Sequence, residues 1–268
     1  MQTLGHGVGL DHSSKMLGWL FGRRSETEQK FVPKVPLDSR IYAVGDIHGR
    51  ADLLVDLHGM IRADAKTAPA RRVIVYLGDY VDRGLHSREV VDILLERPLQ
   101  GFETVHLKGN HEAALLDFLT DSRIGPNWIQ YGGGATLLSY RVGLSGTETG
   151  GTDFIAAQQE FSKQLSPPHL AFYRSLELTH VEGDYLFVHA GLRPGIALDK
   201  QSADDLLWIR DDFLDYTGKF GCVVVHGHTI TDLPDVRDNR IGIDTGAFAT
   251  GRLTCLVLQG NERRFLTT

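Results

Sequence analysis

Three times before residue 112 the chain runs an apolar stretch into Gly-Asp or Gly-Asn, and this repeat limits the possible folds more than any other feature. Ile41-Tyr42-Ala43-Val44 stops at Gly45-Asp46 and is followed by Asp52 to Ile61, whose apolar spacing suits an amphipathic helix. Arg72 to Leu77 stops at Gly78-Asp79, with a second helical pattern from Glu89 to Leu95 closed by Pro98. Glu103 to Lys108 stops at Gly109-Asn110-His111. Successive β-α units of this kind build a parallel sheet with polar residues gathered at the strands' C-terminal edge.

The second half is strand-rich and closely linked: Tyr185 to Val188 ends at His189, Cys222 to Val225 ends at His226, and Arg240 to Ile243 and Leu253 to Leu258 follow. Short links imply a mixed or antiparallel sheet there. The expected fold class is α/β, in the form of an α+β sandwich: two mixed sheets face to face, flanked by helices, with a site for two metals at the strands' C-terminal ends. At 268 residues and 42% hydrophobic content one domain can bury a substantial core. Residues 1–37 lack a sustained period and read as a flexible tail ending near Pro33 and Pro36, leaving 38–268 as a single domain. Within it, 120–165 reads as a loop-rich, helical insertion that walls the site. Its Gly132-Gly133-Gly134 lacks the Lys-Ser/Thr of a phosphate-binding loop and reads as a tight bend.

Five stretches then end hydrophobic runs with metal-seeking groups: Gly45 to Gly49, Gly78 to Gly84, Gly109 to Glu112, His189 to Gly191, and His226 to Thr229. If the turn after the first strand stays extended, Asp46 and His48 point to one side and pair an oxygen with a nitrogen. Asp79 ends the neighbouring strand, where its two oxygens can bridge two cations. Asn110 offers an amide oxygen, and His189 and His228 offer imidazoles. His226, two residues before His228, is weighed against it and placed behind the ligands as an orienting group. The mixed donors fit two divalent ions of manganese, iron, zinc or nickel better than calcium, without choosing among the four, and manganese is the expected metal. His111, directly after Asn110, stands where a proton donor to a leaving group is needed, and Asp82 is the carboxylate expected to keep it charged. Arg83 supplies a planar guanidinium for phosphoryl oxygens, with Arg210 as a second, less determined candidate.

With these residues assembled the chain resembles the phosphoprotein phosphatase branch of the metallophosphoesterases, in its bacterial, lambda-phosphatase-like subgroup. Besides the motifs above, Trp128 with the glycine triplet, Trp208-Ile209-Arg210, and Ile243-Asp244-Thr245-Gly246-Ala247 carry the likeness, from about residue 40 onward. The resemblance implies Asp46, His48 and Asp79 on one metal and Asp79, Asn110, His189 and His228 on the other, with Arg83 and Arg210 holding phosphate. It implies a serine/threonine protein phosphatase in which a metal-bridging hydroxide attacks phosphorus directly and His111 protonates the leaving group. The near alternative is a symmetrical dinucleoside tetraphosphate hydrolase. In the hydrolases of that type that the chain resembles, the stretch corresponding to Gly78 to Gly84 lacks the orienting aspartate, so Asp82 and Glu112 favour the protein phosphatase. A silent, metal-stabilised interaction module is expected to have lost His111, Arg83 or a ligand, and all are present.

Charge and cysteine content bound the rest. A net charge of -6 argues against a general affinity for nucleic acid, so the expected partner is a phosphorylated protein or peptide. Cys222 and Cys255 sit in apolar runs and read as reduced core thiols. Met16 to Phe21, followed by Arg23 and Arg24, reverses the order of a secretory signal and is far short of the ~20 residues that span a bilayer. It reads as an amphipathic tail; no transmembrane span and a cytoplasmic location are expected.

Overall fold

The computed structural model describes residues 31–146 and 150–268, of which Val32–Thr268 form one compact unit. The Met16–Arg24 segment lies outside the described residues. Val35, inside the stretch read as tail, is buried, and its amide donates to the Gly260 carbonyl at 2.9 Å.

The N-terminal half follows the β-α plan: β1 (Ser39–Val44), α1 (Ala51–Asp64), β2 (Arg71–Tyr76), α2 (Ser87–Glu96), β3 (Glu103–His106) and α3 (Asn110–Thr120). Helices α4 (Gly125–Gln130), α5 (Gly133–Ser139) and α6 (Phe154–Gln164) fill the insertion, which is more helical than its glycines imply, and α7 (Pro167–Ser175) follows it. Strands β4 (Thr179–Glu182) and β5 (Tyr185–Val188) follow, with α8 (Ala203–Trp208) and α9 (Asp211–Leu214) before β6 (Val223–His226). The chain ends with β7 (Asp235–Val236), β8 (Arg240–Gly242), α10 (Ala247–Thr250), β9 (Thr254–Gln259) and β10 (Glu262–Thr267).

Two five-stranded sheets result, in the orders β10-β9-β1-β2-β3 and β4-β5-β6-β8-β7. β1, β2 and β3 pair in parallel, as the repeat requires. β9, grouped by sequence with the second half, instead returns to the first sheet antiparallel to β1, and β10 extends it as a hairpin. In the second sheet β5, β6 and β8 run parallel while β4 and β7 are antiparallel edges. Both sheets are therefore mixed, as expected.

The period of two along each strand decides where the cores lie. Ile41, Ala43, Val73, Val75, Leu256 and Leu258 face Tyr185, Phe187, Val223, Val225 and Ile241 between the sheets. Tyr42, Val44, Ile74, Tyr76, Cys255 and Val257 point the other way, against Leu54, Leu57, Ile61, Val90 and Leu94 of the helices. Leu186, Val188 and Val224 pack under Leu206, Ile209 and Phe213 on the far side. Phe187→Ala is expected to cost about 3–5 kcal/mol through the cavity it leaves, lowering the thermal midpoint by roughly 6–20 °C. Calorimetry checks this; a shift under ~2 °C would show a sandwich interior not packed at native density. Both cysteines are free, Cys255 buried and Cys222 half-buried. No helix among the described residues is long and apolar enough to cross a membrane.

Candidate metal centre

The parallel strands of both sheets end at one edge of the sandwich, and their terminal loops are zipped together by backbone. Ile47 and His48 amides donate to the Asp79 carbonyl at 3.1 and 2.8 Å, Gly49 N donates to Tyr80 O, and Gly84 N donates to His48 O. The buried Glu112 carboxylate accepts four more amides, from Asp79, Tyr80, Val81 and Gly109 at 2.8–3.3 Å. One side chain on α3 thus sets the path of two ligand-bearing loops. Its signal was local: Glu112 lies three residues after the Gly109 cap, the capping-box position.

These turns are strained where the polar side chains project. Of the six described non-glycine residues with positive φ, five are His48, Asp79, Asp82, Arg83 and His228. Left-handed backbone costs such residues of order 1–3 kcal/mol each, and it survives where the surroundings over-determine it. It also corrects the extended-turn argument for Asp46 and His48, because His48 has φ 46° and breaks the alternation.

The buried donors converge. His48, Asp79 and His111 offer atoms within 4.8 Å of one another, and so do Asp79, His189 and His228. Asn110 Oδ1 lies 2.8 Å from His189 Nε2 and 2.9 Å from His228 Nδ1. Asp46 is buried beside them but outside both clusters; its oxygens turn to the His228 amide at 3.1 and 3.3 Å. Burial, then the neighbouring Asp244 and Asp79 carboxylates, push the Asp46 carboxyl well above its ordinary range. The first cluster thus contains His111 and not Asp46.

The protonation pattern shows what the cluster fits. Burial lowers His48 to about 3 and His228 to about 2, and it lowers His189 as well, so these imidazoles are neutral at physiological pH. His48 Nδ1–H donates to the Val81 carbonyl at 2.8 Å, which leaves a bare Nε2 lone pair 3.4 Å from Asp79 Oδ2. His189 Nδ1–H donates to the Leu77 carbonyl at 2.9 Å, leaving its Nε2 lone pair against Asn110 Oδ1 and 3.5 Å from Asp79 Oδ1. Burial favours a neutral Asp79, but the positive field of the surrounding histidine sites, of which only His111 keeps a charge at physiological pH, holds the carboxyl below its usual range. Lone pairs facing lone pairs with no proton between them repel, and divalent cations turn each contact into coordination. The residues present therefore fit metal ions on both sides of Asp79.

His111 is held differently. Its Nδ1 donates to Asp82 Oδ2 at 2.6 Å, and its Nε2 faces the centre, 3.8 Å from Asp79 Oδ2. Burial opposes its charge, yet the Asp79 and Asp82 carboxylates prevail and raise it to about 9. Asp82 is buried and also accepts from Trp128 Nε1 at 2.8 Å and Thr136 Oγ1 at 2.6 Å. Sequence placed Trp128 in a pattern without a role and gave no sign of Thr136, because both come from the insertion. Arg83 Nη2 lies 3.4 Å from His111 Nε2. Gly132, left-handed at φ 111°, accepts the Arg83 amide, and a Cβ there would stand 2.7 Å from Arg83 N.

On the opposite side Arg210 is exposed and donates to Thr229 Oγ1 at 3.2 Å; its charge adds to burial in keeping His189 and His228 neutral. Trp208, 46% exposed, meets the His228 ring edge-on at 6.3 Å. His226 is turned away from the centre, with Nδ1 3.1 Å from Gly227 O, Nε2 3.5 Å from Arg240 and its ring on Phe213. Of the histidines set aside by sequence, His58 and His169 are satisfied in the core by Tyr76 and by Tyr140 with Asp92, while His6 and His12 lie outside the described residues.

Comparison with known proteins agrees with this geometry. The profile of the calcineurin-like phosphoesterase family matches residues 39–247. An asymmetrical bis(5'-nucleosyl)-tetraphosphatase, PrpE of Bacillus thuringiensis (strain Al Hakam), is 26% identical over 235 residues, covering 80% of this chain and 88% of that protein. Among solved structures, a cold-active protein tyrosine phosphatase superposes with a TM-score of 0.53 at 18% identity, over 87% of this chain and 81% of that one. A protein serine/threonine phosphatase from Saccharomyces cerevisiae superposes with a TM-score of 0.50 at 16% identity, over 86% and 80%. At such identities the superpositions show a shared fold.

Proposed function

The chain belongs to the calcineurin-like phosphoesterase family, and from that premise we propose that it is a phosphomonoesterase acting on phosphoserine and phosphothreonine in proteins. The observation that carries the reading is the buried His111, whose Nδ1 donates to an Asp82 carboxylate that Trp128 and Thr136 also hold. Serine and threonine leave as alkoxides, strong bases that depart readily only when protonated, whereas a nucleotide leaves on a phosphate oxygen whose second pKa is ≈ 6. A fixed, charged acid is most useful to the poorer leaving group.

In this reading Asp46, His48 and Asp79 hold one divalent ion, and Asp79, Asn110, His189 and His228 hold the other, manganese being the first candidate. Bound there, the ions would supply Lewis acidity to phosphoryl oxygens and lower the pKa of water. Arg83 and Arg210, on opposite sides of the donors, orient the phosphoryl group through their guanidinium N–H groups. His111 delivers its Nε2 proton to the departing oxygen, while Asp82 keeps the ring in place and stabilises its charge before transfer. Glu112 preserves the backbone path that brings Asp79 and Asn110 together.

A second reading, hydrolysis of dinucleoside tetraphosphates, is favoured by the likeness to PrpE, which spans 88% of that protein. Purified manganese-loaded protein assayed on a phosphoserine peptide and on diadenosine tetraphosphate separates the two. The expected result is a kcat/KM at least about tenfold higher on the peptide, a difference of ~1.4 kcal/mol in barrier. Preference for the dinucleotide would replace the first reading with the second.

A further inference from the structure

Phe248 occupies the short α10 turn, and its ring lies beneath the Arg83 guanidinium, with Cζ 4.7 Å from the ring centroid. The same ring meets His48 edge-on at 5.5 Å. The Arg83 guanidinium lies 3.4 Å from His111 Nε2 and over this aromatic face; Asp46 and Asp244 feel its charge, but among the described residues no carboxylate pairs with it directly. His111 turns its Nδ1 to Asp82 Oδ2 at 2.6 Å, so that carboxylate is taken up by the imidazole and is not offered to Arg83. The electron-rich face of a phenyl ring attracts the guanidinium without pairing it to an anion. A carboxylate in the same place would compete with the phosphate for it.

The backbone under Phe248 is built to stay put. Arg50, paired with Asp52 through two contacts at 2.9 and 2.6 Å, donates to the Ala247 carbonyl at 2.9 Å. Thr250 Oγ1 donates back to Thr245 O at 2.8 Å, and Gly246 makes the turn in left-handed backbone at φ 68°. Arg83 is fixed at its own root by the Gly132 carbonyl. The two residues come from opposite halves of the sequence and meet beside His48 and His111.

We propose that Phe248 is a positioning residue that holds the Arg83 guanidinium, fully charged, against the phosphoryl-binding position. The inference rests on the reading that Arg83 binds phosphate. Manganese-loaded wild type, F248L, F248Y, R83A and the F248L/R83A double variant are compared on a phosphopeptide, with inhibition by inorganic phosphate and metal content measured alongside. F248L keeps apolar bulk but loses the π face; it is expected to raise KM and the phosphate inhibition constant roughly 2- to 30-fold, with a smaller change in kcat and unchanged metal content. F248Y is expected to restore both constants, and F248L is expected to add nothing once Arg83 is gone. F248L indistinguishable from wild type, or an equal effect of F248L in the R83A background, overturns the role of Phe248. Unchanged phosphate inhibition in R83A overturns the reading of Arg83 as the clamp.

Discussion

Asp79→Asn is expected to leave the fold intact and abolish activity by emptying at least one metal position. The two Asp79 oxygens lie 3.4 Å from His48 Nε2 and 3.5 Å from His189 Nε2, so one carboxylate serves both sides of the centre. Asparagine keeps the shape but removes the charge and replaces one oxygen with an amide nitrogen that cannot coordinate. Loss of a mere supporting group typically costs 10- to 100-fold in metal affinity, so loss of this shared donor is expected to cost roughly 100-fold or more. Elemental analysis after dialysis reads the effect without reference to any substrate. Thermal melting gives a second readout, because a ligand that binds only the native state raises stability with its concentration. Wild-type protein is expected to gain melting temperature as manganese is added, and the variant to gain far less. Full metal occupancy in the variant would remove Asp79 from the bridging position.

His111→Asn is expected to separate chemistry from metal binding. Loss of a positioned acid costs about 10²- to 10⁴-fold in rate, and the loss should depend on the leaving group. A phosphoserine peptide, which must expel an alkoxide, is expected to show most of that range; p-nitrophenyl phosphate, whose phenolate leaves unaided, is expected to show much less. Metal content is expected to stay near wild type, which also resolves why His111 falls within donor distance of His48 and Asp79. If the variant loses metal, His111 is a ligand; if both substrates slow equally, it is no acid. Asp82→Asn removes the carboxylate that helps hold His111 near 9, so the alkaline limb of kcat is expected to move to lower pH.

How much of this was visible in the sequence depends on whether neighbours in space were also neighbours in the chain. Asp46, Asp79 and Asn110 were legible because each follows a glycine at the end of an apolar run, and parallel strands bring such ends to one edge. The assumption that Asp46 and His48 share a side through period two did not hold, since a left-handed His48 interrupts the alternation. The same break separates His226 from His228: the first is the last residue of β6 and turns to Arg240, the second sits at φ 62° and faces Asn110. The support of Asp82 was not legible, since Trp128 and Thr136 lie 46 and 54 residues downstream in helices of the insertion.

The sequence by itself determined the β-α repeat, the two facing sheets, the gathering of polar residues at the strand ends and the pairing of His111 with Asp82, because hydrophobic period and strand-end chemistry are local properties of the chain. Tertiary structure alone decided that β9 returns to the first sheet, that His226 faces away, that Glu112 ties two loops together, and that Phe248 lies under Arg83. Each of those outcomes depends on backbone torsion at a turn or on contact between segments far apart in sequence. No periodicity records such contacts, since they exist only once the two sheets have closed on a common core.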